Sequence, residues 1–400
     1  MAVVSKLITS SLKAFALDML SVAQLDFLNS KANAGPQVEA ASVLRVRSPR
    51  TPKTPKTPKT PTSPYPHTRG STPSSGVASA FNMHVIREVA QMREAFTSMT
   101  SGLQSFARYM DPNVVHLILE SRREAKLGVA PAELTIFFSD IAGFTTIAEA
   151  LPPAIFMDIL AEYLDEMSGV IMESSGVVGE FIGDSIMAWW NDPIVLGPGH
   201  TAIGIRAALE QQERLAALRN KWLGQDLPEV RARMGLARGS VFAGNIGSRQ
   251  RMKYGLVGDS VNLASRLEGL CKTYCVDILI EDKARAAPGV DEEFWCRPLD
   301  LVQVKGRSGW TELFQVVASK RPAGHAPEAS EDVRAFVQDF EVIQEFYRNM
   351  RFEEAMVAID AYLARWHGDM PAQILRGRCK ELIANAPGNE WSPVNKLDHK

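Results

Sequence analysis

Between about Ala125 and Val317 the sequence switches repeatedly between two hydrophobic periods, and that alternation constrains the fold more than any other feature. "ELTIFFSDI" reads as a buried strand and Pro152 to Ser175 as a long helix with apolar positions at helical spacing. "GVVGEFIGDSIMAWW" reads as two strands around a Gly-Asp turn, and Thr201 to Trp222 as a second helix. "RARMGLARGSVFAG" is a strand and "DSVNLASRLEGL" a third helix. "DILIED", "LDLVQVKG" and "TELFQVV" are late strands.

Strand–helix–strand–strand–helix–strand is the ferredoxin-like βαββαβ order, an α+β fold in which helices are expected on one face of the sheet. The flanks differ in kind. From Ala40 to Arg87 there is no Asp or Glu, and inside that span lies the three-residue repeat "TPKTPKTPKTP". Proline at every third position blocks helix and sheet, which predicts a basic, extended linker within a largely disordered region 1–80. Its Thr-Pro steps also read as a ladder of phosphorylation sites, and its charge as a tether to an acidic surface. Val85, Val89, Met92, Phe96, Met99, Leu103, Phe106 and Met110 then keep a heptad spacing that ends just before Pro112. This predicts a coiled-coil or signalling helix across 81–124, with docking of that helix on its own domain as the alternative. The strand-and-helix region occupies 125–319. In the tail, 329–386, "FEVIQEFYRNM" and "FEEAMVAIDAYLARW" look like a helical hairpin of tetratricopeptide type, a docking or capping element.

The chain of 400 residues has a net charge of −2, and no nucleic-acid partner is expected. No apolar run reaches membrane-spanning length, so a cytoplasmic chain is expected, with the apolar first 28 residues left as a segment that could tether it. Cys271, Cys275, Cys296 and Cys379 are too few for a disulfide framework and fit a reducing compartment. Cys271 and Cys275 lack the companion His or Cys pair that a metal site would need.

Neither a G-x-x-x-x-G-K-[ST] loop nor a G-x-G-x-x-G loop is present, so no glycine-rich loop cradles phosphate. Asp140 closes the first strand in "FFSDIAGFTT", and Asp184 sits in the Gly-Asp turn, four residues after Glu180. The end of a central strand and the turn of a neighbouring hairpin can lie side by side. Two carboxylates there make an oxygen site for Mg²⁺, completed by a carbonyl such as that of Ile141. Taken singly, each Asp is also a good turn-former or cap. Asn262 and Arg266 share one face of the third helix, just after a Gly-Asp turn where an anion is favoured. Lys305 ends a strand in "VQVKGRSG".

"FFSDIAGFTT", "FIGDSIMAWW", "GLVGDSVNLASRLE" and "VKGR" resemble, in order and spacing, the class III nucleotide cyclase catalytic domain. That resemblance implies a homodimer with active sites at its interface, and two Mg²⁺ per site, with Mn²⁺ able to substitute. It implies that Asp140, Asp184 and the Ile141 carbonyl hold metal. Asn262 would orient the ribose and Arg266 would stabilise the pentavalent phosphorus. Lys305, together with Arg251 or Arg249, would hold the terminal phosphates. At the position of Glu180, adenylate cyclases usually carry Lys and guanylate cyclases Glu, so the resemblance implies GTP as substrate, with ATP as the alternative. At the second base-reading position, Gly255 matches neither type. A catalytically inactive dimerisation module is the non-enzyme alternative. An upstream sensor, or a partner for the helical tail, would supply the signal.

Overall fold

The computed structural model describes residues 76–121, 124–225, 227–304, 309–320, 331–388 and 391–397. The first 28 residues, the Thr-Pro-Lys repeat and Lys305 lie outside them. The chain divides into two compact units, Met1–Pro112 and Asn113–Lys400. No helix among the described residues is long and apolar enough to cross a membrane.

In the first unit, helix α1 (Gly76–Ala107) carries the heptad seam. Met92, Met99, Leu103 and Phe106 are exposed on it, while Met110 falls beyond the helix end. A row of apolar side chains facing solvent at 3.5-residue spacing is a surface that a second helix would cover.

Helix α2 (Pro112–Ser121) leads into the second unit, where Val114 is buried in the core and the Asn113 amide donates to the Gly176 carbonyl at 3.3 Å. The strands are β1 (Gly128–Ile141), β2 (Val177–Ile182), β3 (Ser185–Trp190), β4 (Ala232–Gly247), β5 (Met252–Val257), β6 (Ile278–Glu281), β7 (Phe294–Val304), β8 (Thr311–Ser319) and β9 (Val394–Leu397). Among the described residues they form one sheet in the order β2-β3-β1-β4-β6-β8-β7-β9, with β5 paired to β4. Between them run α3 (Phe144–Ala150), α4 (Pro153–Glu173), α5 (His200–Leu223), α6 (Asp259–Tyr274) and the short α7 (Asp282–Arg285) and α8 (Val290–Glu293).

The βαββαβ order is present, but helices cover both faces rather than one. Alternate residues of each strand explain why. Phe137, Ile186, Ala188, Met234, Leu236 and Ile280 pack under α4 and α5. Leu134, Ile136, Trp189, Ala237, Val241 and Leu279 pack under α6. Both parities are apolar, as a sheet buried on two sides requires. Gly235 brings α6 down onto β4: a Cβ there would lie 2.3 Å from the Glu268 nitrogen and 2.4 Å from the Ala264 oxygen. Any side chain would lift the helix.

The tail is built into this unit. Helices α9 (Glu331–Arg348) and α10 (Phe352–Arg365) correspond to the expected pair, and a third, α11 (Met370–Ala384), follows. Phe340, Ile343, Ile359, Leu375 and Cys379 join the same core as α6, and β9 adds to β7 in parallel. Arg297 on β7, 1% exposed, anchors the helices to the sheet. It pairs with Asp369 at 2.9 Å, donates to the Tyr362 hydroxyl at 2.8 Å, and lies over the rings of Phe336 and Phe340.

Candidate active site

Two carboxylates meet where β1 ends. Gly183, in the left-handed region at φ 67°, turns the chain between β2 and β3 and places Asp184 against the last residues of β1. The Ile141 amide donates to Asp184 Oδ2 at 3.0 Å, and the Ser185 hydroxyl donates to Asp140 Oδ1 at 2.7 Å. Asp184 is only 8% exposed. Burial, reinforced by the facing Asp140 carboxylate, pushes its pKa up to about 6. Arg233, directly across the β1–β4 ladder from Asp140, reaches Asp140 Oδ2 at 2.5 Å. Its Nε lies 3.1 Å from Glu268 Oε1 on α6. Burial and the Asp140 charge push the Glu268 pKa up to about 7, with Arg233 opposing.

Glu180 lies further back along β2, after a bulge between Val178 and Glu180. It is exposed and accepts from Lys253 Nζ at 2.7 Å. Lys253 is on β5, whose opposite face is pinned by Tyr254. The Tyr254 ring stacks on Trp189 and its hydroxyl donates to Asp192 at 2.5 Å. Strand alternation then puts Lys253 and Gly255 on one face. The Lys253 Cε lies 3.8 Å from where a Cβ on Gly255 would stand. The lysine stem thus covers the position at which the glycine offers no side chain.

Helix α6 begins at Gly258. It presents Asn262 exposed and Arg266 half-buried, one turn apart on one face. Arg251 is exposed in the tight turn between β4 and β5, where its amide donates to Ser248 Oγ at 3.1 Å. Within one chain the structure therefore brings together Asp140, Ile141 and Asp184 at one point, and Glu180 with Lys253 at another.

Residues 130–317 match the family described as the adenylate and guanylate cyclase catalytic domain. The chain is 32% identical to the crystal structure of the adenylyl cyclase CyaB from P. aeruginosa, covering all of that chain and 50% of this one, with a TM-score of 0.46. The chain belongs to the class III adenylate and guanylate cyclase family. Over 236 residues it is 33% identical to adenylate cyclase 1 of Rhizobium meliloti, which is 59% of this chain and 35% of that protein. The crystal structure of the guanylyl cyclase Cya2 matches at 29% identity, covering 51% of this chain and all of that one, with a TM-score of 0.45. The chain thus spans about a third of the length of the Rhizobium relative.

Three residues at this candidate site escaped the sequence reading. Arg233 and Glu268 touch the carboxylate corner, and Lys253 touches Glu180. Arg233 was recoverable only from strand register, because it is the cross-strand partner of Asp140. Lys253 was hidden because "MKYGLV", with a lysine and a glycine among its six residues, does not read as a strand. The carboxylate corner suits a divalent cation. Two facing acids, one of them with its proton affinity raised by burial and by the other's charge, are what a bound cation would relieve.

Proposed function

We propose that this chain converts ATP to 3′,5′-cyclic AMP and pyrophosphate, acting as a homodimer with its sites at the subunit interface. The observation that carries the choice of base is the Glu180–Lys253 pair. With Glu180 Oε2 accepting from Lys253, one carboxylate oxygen is left to accept and the ammonium is left to donate. The adenine edge presents an amino donor at N6 beside an acceptor at N1, a one-to-one match to that pair. Two curated relatives at 32–33% identity bear the name adenylate cyclase, which supports the same reading.

Asp140, Asp184 and the Ile141 carbonyl would hold Mg²⁺, two ions per site, with Mn²⁺ as a substitute. When bound, such ions acidify the ribose 3′-hydroxyl and neutralise the triphosphate. Asn262 orients the ribose so that its 3′-oxygen faces the α-phosphorus in line with the leaving pyrophosphate. The new bond joins 3′-oxygen to α-phosphorus, the hydroxyl gives up its proton to solvent, and the bond from α-phosphorus to the bridging oxygen breaks with its electron pair leaving on pyrophosphate. Arg266 places its guanidinium where negative charge grows on the phosphoryl oxygens. Lys305, with Arg251 or Arg249, holds the departing phosphates. Asp184 and Glu180 are four residues apart in sequence, whereas metal and base sit at opposite ends of a nucleotide. One subunit therefore supplies Asp140 and Asp184, and its partner copy supplies Glu180, Lys253, Asn262 and Arg266. In this scheme 125–319 is the catalytic domain, 81–124 the dimerising helix, 1–80 the N-terminal region with the basic Thr-Pro-Lys repeat and 329–386 the helical tail.

GTP is the second reading, and Glu180 itself favours it. Released from Lys253, both carboxylate oxygens could take the N1–H and 2-amino donors of guanine. Initial rates with each nucleotide offered separately decide between them. Cyclic AMP formation with kcat/KM at least about tenfold above that for GTP is expected, the scale of one well-placed hydrogen bond. A GTP preference of that size overturns the ATP assignment and installs the second reading.

A further inference from the structure

We propose that Tyr274 is a positioning residue for helix α6, and that the C-terminal helices hold the catalytic groups in place through it. The Tyr274 hydroxyl donates to Asp300 Oδ2 on β7 at 2.6 Å. Arg378 on α11 donates to that same oxygen at 2.7 Å. The other oxygen of Asp300 accepts from the Leu301 amide at 2.9 Å. Tyr274 and Asp300 are each 2% exposed. A chain of hydrogen bonds thus runs from the partly buried Arg378 of the third tail helix, through the buried Asp300 of β7, to the last residue of α6. Burial, followed by the Asp300 charge, raises the Tyr274 phenol well above its ordinary pKa and keeps it a donor.

The position of Tyr274 gives this chain its consequence. It lies eight residues after Arg266, roughly 12 Å along a stiff helix. At its middle, α6 rests on the bare backbone of Gly235, against Ala264, Leu267 and Glu268. Two fixed points define a helix axis: the Gly235 contact and the Tyr274–Asp300 bond. That axis decides where Asn262 and Arg266 point. A phenylalanine would fill the same core volume, and a buried ion pair adds little net stability over apolar packing. The Tyr274 hydroxyl therefore contributes direction more than stability, whereas Arg378→Met also leaves the buried Asp300 carboxylate without its cation and costs stability as well. Gln344 of α9 adds a second tie to the same strand, donating to the Leu299 carbonyl at 2.5 Å.

This inference rests on the cyclase reading, because Asn262 and Arg266 are what α6 positions. It is tested in the full chain with Tyr274→Phe, Arg378→Met and the double variant. The measurements are kcat and KM at a temperature well below every variant's melting point, and hydrogen exchange of backbone amides. Each single change should lower kcat about tenfold, a geometric loss worth about 1.4 kcal/mol. Amides of 259–268 should exchange faster, and the double variant should be no worse than about twofold beyond the poorer single, since both cut one chain of contacts. Unchanged kcat overturns the proposal, whether or not exchange rises. So does faster exchange confined to 331–384, which would make the network merely structural. Arg378→Lys, which keeps the charge, should recover part of kcat; if Arg378→Met fails to fold, that variant and Tyr274→Phe carry the test. A wild-type chain that cyclises neither ATP nor GTP refutes the cyclase reading instead, and exchange in 259–268 then reports separately on whether the tail holds α6.

Discussion

Replacing Asp369 with alanine strips a buried guanidinium of its charge partner. Arg297 is 1% exposed and the Asp369 side chain 10%, with 2.9 Å between them. Removing one member of such a pair costs about 3–5 kcal/mol, because the remaining charge cannot recover its hydration. Two features of the structure adjust that range. Arg297 keeps Gln315, at 3.0 Å from its Nε, and the Tyr362 hydroxyl, which soften the loss. Asp369 also caps α11, accepting from the Ala372 amide at 3.0 Å, and losing that cap adds about 1 kcal/mol. The expected net cost of Asp369→Ala is therefore about 4 kcal/mol. Asp369→Asn keeps the cap and a neutral acceptor and should cost roughly half as much. Urea denaturation followed by tryptophan fluorescence measures both, with Trp366 packed at a tilt against Tyr362 as a local reporter. If Asp369→Ala costs under about 1 kcal/mol, Arg297 does not depend on this partner, and the tail is not locked to the sheet as argued.

Other consequences follow from the same geometry. Asp184→Ala should abolish turnover with either nucleotide and leave the fold intact, read by product assay beside circular dichroism; activity above a few per cent would remove Asp184 from the metal site. Burial, aided by the Arg238 charge, pulls the His200 pKa down to about 4. Its neutral form thus supports the fold fully above pH 6.5, and that support is lost at about 1.4 kcal/mol per pH step as pH falls from 6.5 to 4. His200→Gln should flatten that part of the stability profile, whereas parallel wild-type and variant profiles would contradict the assignment. Met99→Glu with Phe106→Glu should weaken self-association in sedimentation and lower activity at nanomolar enzyme, with recovery as protein is added. Unchanged sedimentation would mean that the exposed seam of α1 has no second helix as its partner.

Much of this architecture is written in local pattern. The short apolar runs mark β1, β3 and β4, and the turn glycine at 183 marks the hairpin that brings Asp184 to Asp140. Long-range register is not written that way. That Arg233 lies across from Asp140, or that Lys253 folds over Gly255 to reach Glu180, depends on how strands pair, and no local periodicity encodes it. The reading of guanine from Glu180 alone missed its cationic neighbour for that reason. Helices on both faces were legible only in the double parity of the apolar residues, which reads equally as a short buried run. Helix α11 was obscured by Gly377 and the charges at Lys380 and Glu381. Its capping Asp369 was the available signal. The tail resembled a separate docking unit because Arg297 and Asp300, the buried charges that join it to the sheet, look like ordinary surface residues in sequence.

The division of each site between two subunits is the claim on which every residue role depends, and mixing two inactive variants tests it most directly. Asp140→Ala should be nearly dead, and Arg266→Ala should lose about 10²–10³ in rate. When the two are combined and allowed to exchange subunits, half of the dimers are mixed, and in each of those one site retains every native group. Activity should then recover toward about a quarter of the native rate. Confirmed heterodimers that show no recovery would contradict the shared site and place Asp140, Glu180 and Arg266 around a nucleotide within one chain.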